Sequence, residues 1–252
     1  MPLPAKAFQR WLHGIAPQAS TADICRISGI KRTTLAQQLV RGKVTESTVV
    51  SISRAFNINP VTALATFANY SELAGSPVLP TSAELVSQIA TMDLLSAVIA
   101  RSAGAAGGGD VAGGNADKPP APPLTSAPHA TSVKNWVDAI DDGELRHRVS
   151  AATGIAPQNY SAQLSANRLA PELAIATSKA AGTGLTGGLV ATGMITESEA
   201  GWEPGARQAA LDAMSDGELA TLAGDRLQAL GKTLKRQEQD HEETRTIWEN
   251  LG

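Results

Sequence analysis

Thr33, Thr34, Gln37 and Arg41 lie within nine residues of one another, at spacings that bring them round one side of a helix turning 100° per residue. Hydroxyl, carboxamide and guanidinium groups share one capability: they can hydrogen-bond to the edges of base pairs, with Gln suited to adenine and Arg to guanine. Gln38 belongs to the same set, and Lys31, Arg32 and Lys43 flank it with fixed positive charge. The chemistry open to these residues is non-covalent recognition of double-stranded DNA. Thr33, Thr34, Gln37 and Gln38 would supply base readout, while Lys31, Arg32, Arg41 and Lys43 would neutralise phosphates or, for the arginines, grip guanine in bidentate fashion.

Presenting such a face takes a short helix anchored by its back. Residues Thr21 to Leu39, TADICRISGIKRTTLAQQL, read as two short helices joined by a tight turn at Ser28-Gly29-Ile30, a helix-turn-helix. Ser20 or Thr21 supplies a hydroxyl cap for the first helix, expected over Ala22 to Ile27. Gly29 stands where the chain reverses and a positive φ costs nothing. The second helix is expected over Lys31 to Val40, with Ile30, Leu35 and Leu39 turned inward. Phe8, Trp11, Leu12 and Ile15 recur at helical spacing and predict a covering helix from about Ala5 to Ala16. Thr45 is placed to cap a helix lined by Val49, Val50, Ile52 and Phe56, with Asn57 as its left-handed stop. Asn59-Pro60 opens a fifth helix, Val61 to Asn69, and the capping-box pair Thr81 and Glu84 opens a sixth. That sixth helix carries Leu85, Ile89, Met92, Leu95, Val98 and Ile99, a stripe that needs a partner.

This pattern resembles the lambda-repressor and Cro-type family of helix-turn-helix regulators, whose five-helix domain would cover roughly residues 5 to 70. Leu12, Ile24, Ile27, Gly29, Ile30, Leu35, Leu39, Gly42, Val49, Ile52, Ala55, Phe56, Ile58 and Leu64 fall where that family places its core and turns. The resemblance implies that the helix Lys31–Val40 enters the major groove. Lys31 departs from the small hydroxyl residue that the family often has after the turn.

Charge supports the same reading. Residues 1 to 70 carry eight Lys or Arg against Asp23 and Glu46, a net +6, while the whole chain is −3. The basic charge is therefore concentrated on this module, as phosphate binding requires. Hydrophobic residues make up 42% of the 252 residues and aromatics only 4%, which fits small helical cores better than a large sheet. Cys25 is the one cysteine and excludes an intramolecular disulfide. No run of about 18 apolar residues is present and the N-terminus lacks the order of a signal peptide, so a cytoplasmic location without membrane contact is expected.

From Ser102 to about Ala130 the sequence is rich in Gly, Ala and Pro and is expected to be a disordered linker. Beyond it, a shift of 125 residues lays the first domain over a second without a gap. Trp11 meets Trp136, Ile15 meets Ile140, Gly29 meets Gly154, Ile30 meets Ile155, Gln38 meets Gln163, Leu39 meets Leu164 and Leu64 meets Leu189. The core is kept and the charge is lost. Lys31, Arg32 and Arg41 become Ala156, Pro157 and Ala166, and residues 133 to 193 balance five basic against five acidic side chains. This repeat is expected to assemble the protein with itself or dock another protein, with Gln158, Asn159, Gln163 and Arg168 as the alternative second DNA site. Near the C-terminus, Ser215 and Glu218 repeat the capping-box spacing ahead of Leu219, Leu222, Leu227, Leu230 and Leu234, and a charged helix follows.

Gly182-Thr183-Gly184-Leu185-Thr186-Gly187 matches the spacing of a dinucleotide-binding loop, but it aligns with the turn after the fourth helix of the first domain, and turn residues are the simpler explanation. His13, His129, His147 and His241 lack metal-ligand spacing, and no phosphate-loop lysine or nucleophile elbow is present, so neither an enzyme nor a metal or cofactor is expected. The expected fold is all-α: a helix-turn-helix domain with its packing helix over 1–101, a linker over 102–130, a degenerate repeat over 131–205 and a helical segment over 206–252. The expected function is sequence-specific DNA binding by a transcriptional regulator, a phage-type immunity repressor acting through operator occupancy. The rival expectation is a helical adaptor that uses the same folds for protein contacts.

Overall fold

A computed structural model describes residues 2–106 and 123–251. The architecture is all-α. The N-terminal segment holds α1 (Ala5–Ile15), α2 (Thr21–Ser28), α3 (Arg32–Val40), α4 (Glu46–Ala55) and α5 (Pro60–Ala65), then a 3-10 helix (Ala68–Ala74), α6 (Ser82–Ser87) and α7 (Thr91–Ala106). The later segment holds α8 (Ser132–Ile140), α9 (Leu145–Thr153), α10 (Pro157–Ser165), α11 (Pro171–Ala181), α12 (Gly187–Ala191), α13 (Ala206–Asp212) and α14 (Asp216–Leu251). Among the described residues the only strand pairing is a two-residue antiparallel ladder, Leu3 opposite Val44 and Pro4 opposite Lys43.

Two compact units divide the chain. The first joins residues 1–88 to 126–207. The two segments that the sequence separates by a linker thus pack within one unit. Of the expected linker, Ser102–Ala106 continue α7 and residues 107–122 lie outside the described residues. Its far end is tied down, because a ring nitrogen of His129 lies 3.1 Å from the carbonyl of Ser87.

A core of aliphatic and aromatic side chains explains why the short helices of this unit hold, since helices of eight to eleven residues are marginal without tertiary packing. Phe8, Ile24, Leu35, Val49, Ile52 and Leu64 are buried in the N-terminal segment, and Val133, Trp136, Leu145, Val149, Tyr160 and Leu189 in the later one. α6 leans on α8, where Trp136 donates its indole N–H to the buried carboxylate of Glu84 at 3.2 Å. The same carboxylate completes the capping box of α6 by accepting from the Thr81 N–H at 3.0 Å. The fifth helix is shorter than its sequence predicts: it stops at Ala65, and residues 68–74 tighten into the 3-10 helix with Tyr70 buried against Glu46.

The backbone repeats itself at an interval of 125 residues. The bounds of α3 and α10 coincide under that shift, as do the starts of α4 and α11 and of α7 and α14. Gly29 and Gly154, which end α2 and α9, have φ of 71° and 70°. Asn57 and Asn167 are the two described non-glycine residues with positive φ, and each stands where the other segment has a glycine, Gly182 and Gly42. Asparagine and glycine are the residue types that accept this left-handed stop.

The second unit joins residues 89–125 to 208–252 and is built on α7 and α14. Leu94, Leu219 and Ala223 are buried in it. The single sixth helix expected after Thr81 is divided into α6 and α7, and its stripe holds only in part: Leu85 and Ile89 are buried, but Met92 and Ile99 are 65% and 68% exposed while Leu94, outside the stripe, is sealed. Arg101 donates to the carbonyls of Leu211 and Met214, satisfying acceptors at the end of α13. Ser215 and Glu218 form the expected capping contacts at the start of α14. Among the described residues, no helix is long and apolar enough to cross a membrane.

Candidate nucleic-acid interface

The first-unit surface around α3 is built from the back outward. The Ser20 hydroxyl accepts from the Asp23 N–H at 3.2 Å and starts α2, and Ile24 and Cys25 are buried beneath it. Gly29 reverses the chain, Lys31 caps α3 in an extended conformation, and Leu35, fully buried, pins the helix to the core. Lys31, Arg32, Thr33, Thr34, Gln37 and Arg41 are all exposed. Lys43 joins them from the strand pairing, where Leu3 is buried and the Ala5 N–H donates to the Gly42 carbonyl at 3.0 Å.

Gln38 is put to another use. Its carboxamide oxygen accepts from the Thr48 hydroxyl at 3.0 Å and the Thr45 N–H at 3.4 Å, and its nitrogen donates to the Thr45 hydroxyl at 3.3 Å. Thr45 sits at the cap of α4 without a side-chain bond of its own to the helix backbone, so Gln38 serves that terminus instead. A base reader needs a free amide edge, and Gln38 has spent its edge on positioning. Gln163 repeats the arrangement, accepting from the Ala170 N–H at the start of α11 at 3.3 Å. Both glutamines precede the capped residue by seven positions, a spacing visible in the sequence though its use was not.

The charges on α3 are free to act outward. Among the described residues, none of Lys31, Arg32, Arg41 and Lys43 takes part in an ion pair. Arg26 is paired with Asp23 at 3.3 Å, and Arg54 is committed to Glu199. Of the six basic residues left over in the first 70, Lys6 and Arg10 stand exposed on α1, and the other four lie on or beside the helix that bears the hydroxyls and Gln37.

The surface around α10 has the same frame with different chemistry. Pro157 takes the first helical position, where its missing N–H is harmless, and Tyr160 takes the buried place of Leu35. The Tyr160 hydroxyl meets that of Thr177 at 2.8 Å, and burial raises its pKa. Gln158, Asn159 and Arg168 are exposed. Of the five basic side chains between 133 and 193, four are neutralised: Lys134 by Asp138, Arg146 by Asp138 and Asp141, Arg148 by Asp142, and Lys179 by Glu72. Arg148 holds the Asp142 carboxyl below the usual carboxylate range, chiefly through its hydrogen bonds.

The glycine run at 182–187 forms no phosphate-binding loop. Gly182 ends α11 with a positive φ, and the space at Gly187 is taken by the Glu84 carboxylate, 2.3 Å from where a Cβ would stand. Among the described residues, no cluster of His, Cys, Asp or Glu is placed to hold a metal ion. The chain matches no family model, no curated protein and no solved structure.

Proposed function

We propose that the protein is a sequence-specific DNA-binding transcriptional regulator, a helix-turn-helix repressor of the phage type that acts in the cytoplasm by occupying its operator. One observation carries this reading: Thr33, Thr34 and Gln37 stand exposed among four cations that have no ion-pair partner among the described residues, on a helix whose other side is locked into the core by Leu35. Thr33, Thr34 and Gln37 read base edges, and Lys31, Arg32, Arg41 and Lys43 supply phosphate contact or guanine recognition.

The test is a binding titration of the full chain on duplex DNA selected from a random pool, repeated over a range of salt. Phosphate contacts impose a steep fall of log affinity with log salt, and replacing Thr33 and Gln37 with Ala should flatten the selected consensus. An adaptor that uses these helices for protein contacts would select no consensus at all, and that result sinks the proposal.

A further inference from the structure

We infer that the chain is a single-chain counterpart of a two-fold dimer, presenting α3 and α10 as two unequal reading edges to one bipartite DNA site. The inference rests on the DNA-binding reading above and specifies the kind of site.

The first support is the extent of the internal repeat. The shift of 125 residues that relates α1–α5 to α8–α12 continues through the helices that follow: α6 corresponds to α13, and α7 and α14 start at equivalent positions, Thr91 and Asp216. Leu94 and Leu219 are equivalent and both buried, and Arg101 is equivalent to Arg226. The Ser96 hydroxyl bonds the Met92 carbonyl as that of Thr221 bonds Gly217. Both copies are therefore complete, linker aside.

The second support is reciprocity. In a two-fold interface, a contact from position i to position j is matched by one from j to i. Arg54 pairs with Glu199, and Lys179, which occupies the equivalent of position 54, pairs with Glu72. Glu199 corresponds to Ala74, so the two pairs match each other across the first unit with an offset of two positions. Within the second unit the equivalent helices α7 and α14 pack on each other, and Arg101 from the latter half of α7 reaches Asp216 at the start of α14, as a dyad between them would allow.

The contacts between the copies in the first unit use the ends of α4 and α11, the 3-10 helix and the turn before Glu199, and also the packing of α6 on α8 through Glu84 and Trp136. None of these contacts involves the outward residues of α3 or α10, so both edges are left open. The face of α10 is polar. Among the described residues, no large exposed apolar side chain falls within residues 126–207, whereas α3 bears the exposed Val40. Gln158 and Asn159 offer carboxamides of the type that pairs with adenine, and among the described residues Arg168 is the one Lys or Arg between 133 and 193 outside an ion pair. The two edges are unequal because α3 keeps its charge and α10 does not.

A hydroxyl-radical footprint of the full chain, with sedimentation of the complex to count chains per duplex, tests this. One chain should protect two patches about one helical turn apart, roughly 34 Å between centres. Replacing Gln158, Asn159 and Arg168 together with Ala, all exposed side chains, should erase the weaker patch and lower affinity by about tenfold or more while the stronger patch persists. Circular dichroism of the variant guards against loss of fold. A single patch in the wild type, two patches that need two chains, or a footprint indifferent to the triple substitution overturns this inference and leaves DNA binding intact. Binding to no duplex at all overturns both.

Discussion

Arg54 grips Glu199 through two parallel contacts, Nε to Oε1 at 2.6 Å and Nη2 to Oε2 at 2.7 Å, and its second nitrogen also donates to the Met194 carbonyl at 3.2 Å. These residues lie 145 positions apart in the chain and join its two segments. The arrangement takes one of the eight basic residues of the first 70 out of the unpaired positive charge and uses it to hold the copies together. The hydrogen bonds from Arg54 hold the Glu199 carboxyl below its ordinary pKa, and Glu199 raises that of Arg54.

A carboxyl depressed in the folded state stabilises the fold above its unfolded pKa, about 4.3, and loses that contribution as pH falls through the folded value. Glu199→Gln should therefore be less stable than wild type at pH 7, by about 1 kcal/mol, a modest value because Arg54 is 43% exposed. The gap should close as the pH drops below about 4. Urea denaturation of both proteins at pH 7 and at pH 3 checks this, and a gap that stays constant with pH would refute it.

Gly187 and Gly224 make opposite predictions for the same substitution. At Gly187 a methyl group would stand 2.3 Å from the buried Glu84 carboxylate and 3.3 Å from the indole nitrogen of Trp136. Gly187→Ala should cost about 1–3 kcal/mol, outweighing the better helix propensity of Ala. Gly224 lies inside α14 with nothing within 4 Å of its would-be Cβ, so Gly224→Ala should stabilise by about 0.5–1 kcal/mol. Thermal melts of the two variants should move in opposite directions.

Gln37 and Gln38 are adjacent and should behave differently. Gln38→Ala removes the bonds to Thr45 and Thr48 and should cost about 0.5–1.5 kcal/mol of stability without changing the preferred sequence. Gln37→Ala touches an exposed side chain, so its stability should hold while the preference relaxes. A preference altered equally by both would mean that the Gln38 amide leaves Thr45 when DNA binds.

The all-α class, the turn at Gly29 and the register of the repeat were legible because each is a local pattern: apolar spacing, a left-handed stop, a capping pair. Residues 32–40 and 157–165 share a face pattern that needs no tertiary knowledge. What the sequence hid was pairing at a distance. Arg54 reads as one more phosphate cation until Glu199 is beside it, and Gln38 reads as a base reader until Thr45 is seen to need its oxygen. The Gly, Ala and Pro stretch invites the reading of two independent domains, whereas Trp136–Glu84 and Lys179–Glu72 join the flanking segments within one unit. The stripe on α7 was misphased because its partner, α14, covers the Leu94 side rather than the Met92 side.

Lys43 offers the sharpest electrostatic test, since the strand pairing with Pro4 fixes its backbone while its side chain remains exposed and outside any described ion pair. A phosphate contact adds no sequence information, so Lys43→Ala should weaken binding to all duplexes alike and leave the consensus unchanged. Each phosphate neutralised contributes a slope of about −0.9 to log affinity against log salt, so the variant should be shallower by about one unit. Lys134 is the control: it is held by Asp138 at 2.5 Å on α8, and Lys134→Ala should leave the slope where it was. Equal slopes for wild type and Lys43→Ala would remove Lys43 from the interface, and an equal loss in both variants would show that net charge rather than position sets the affinity.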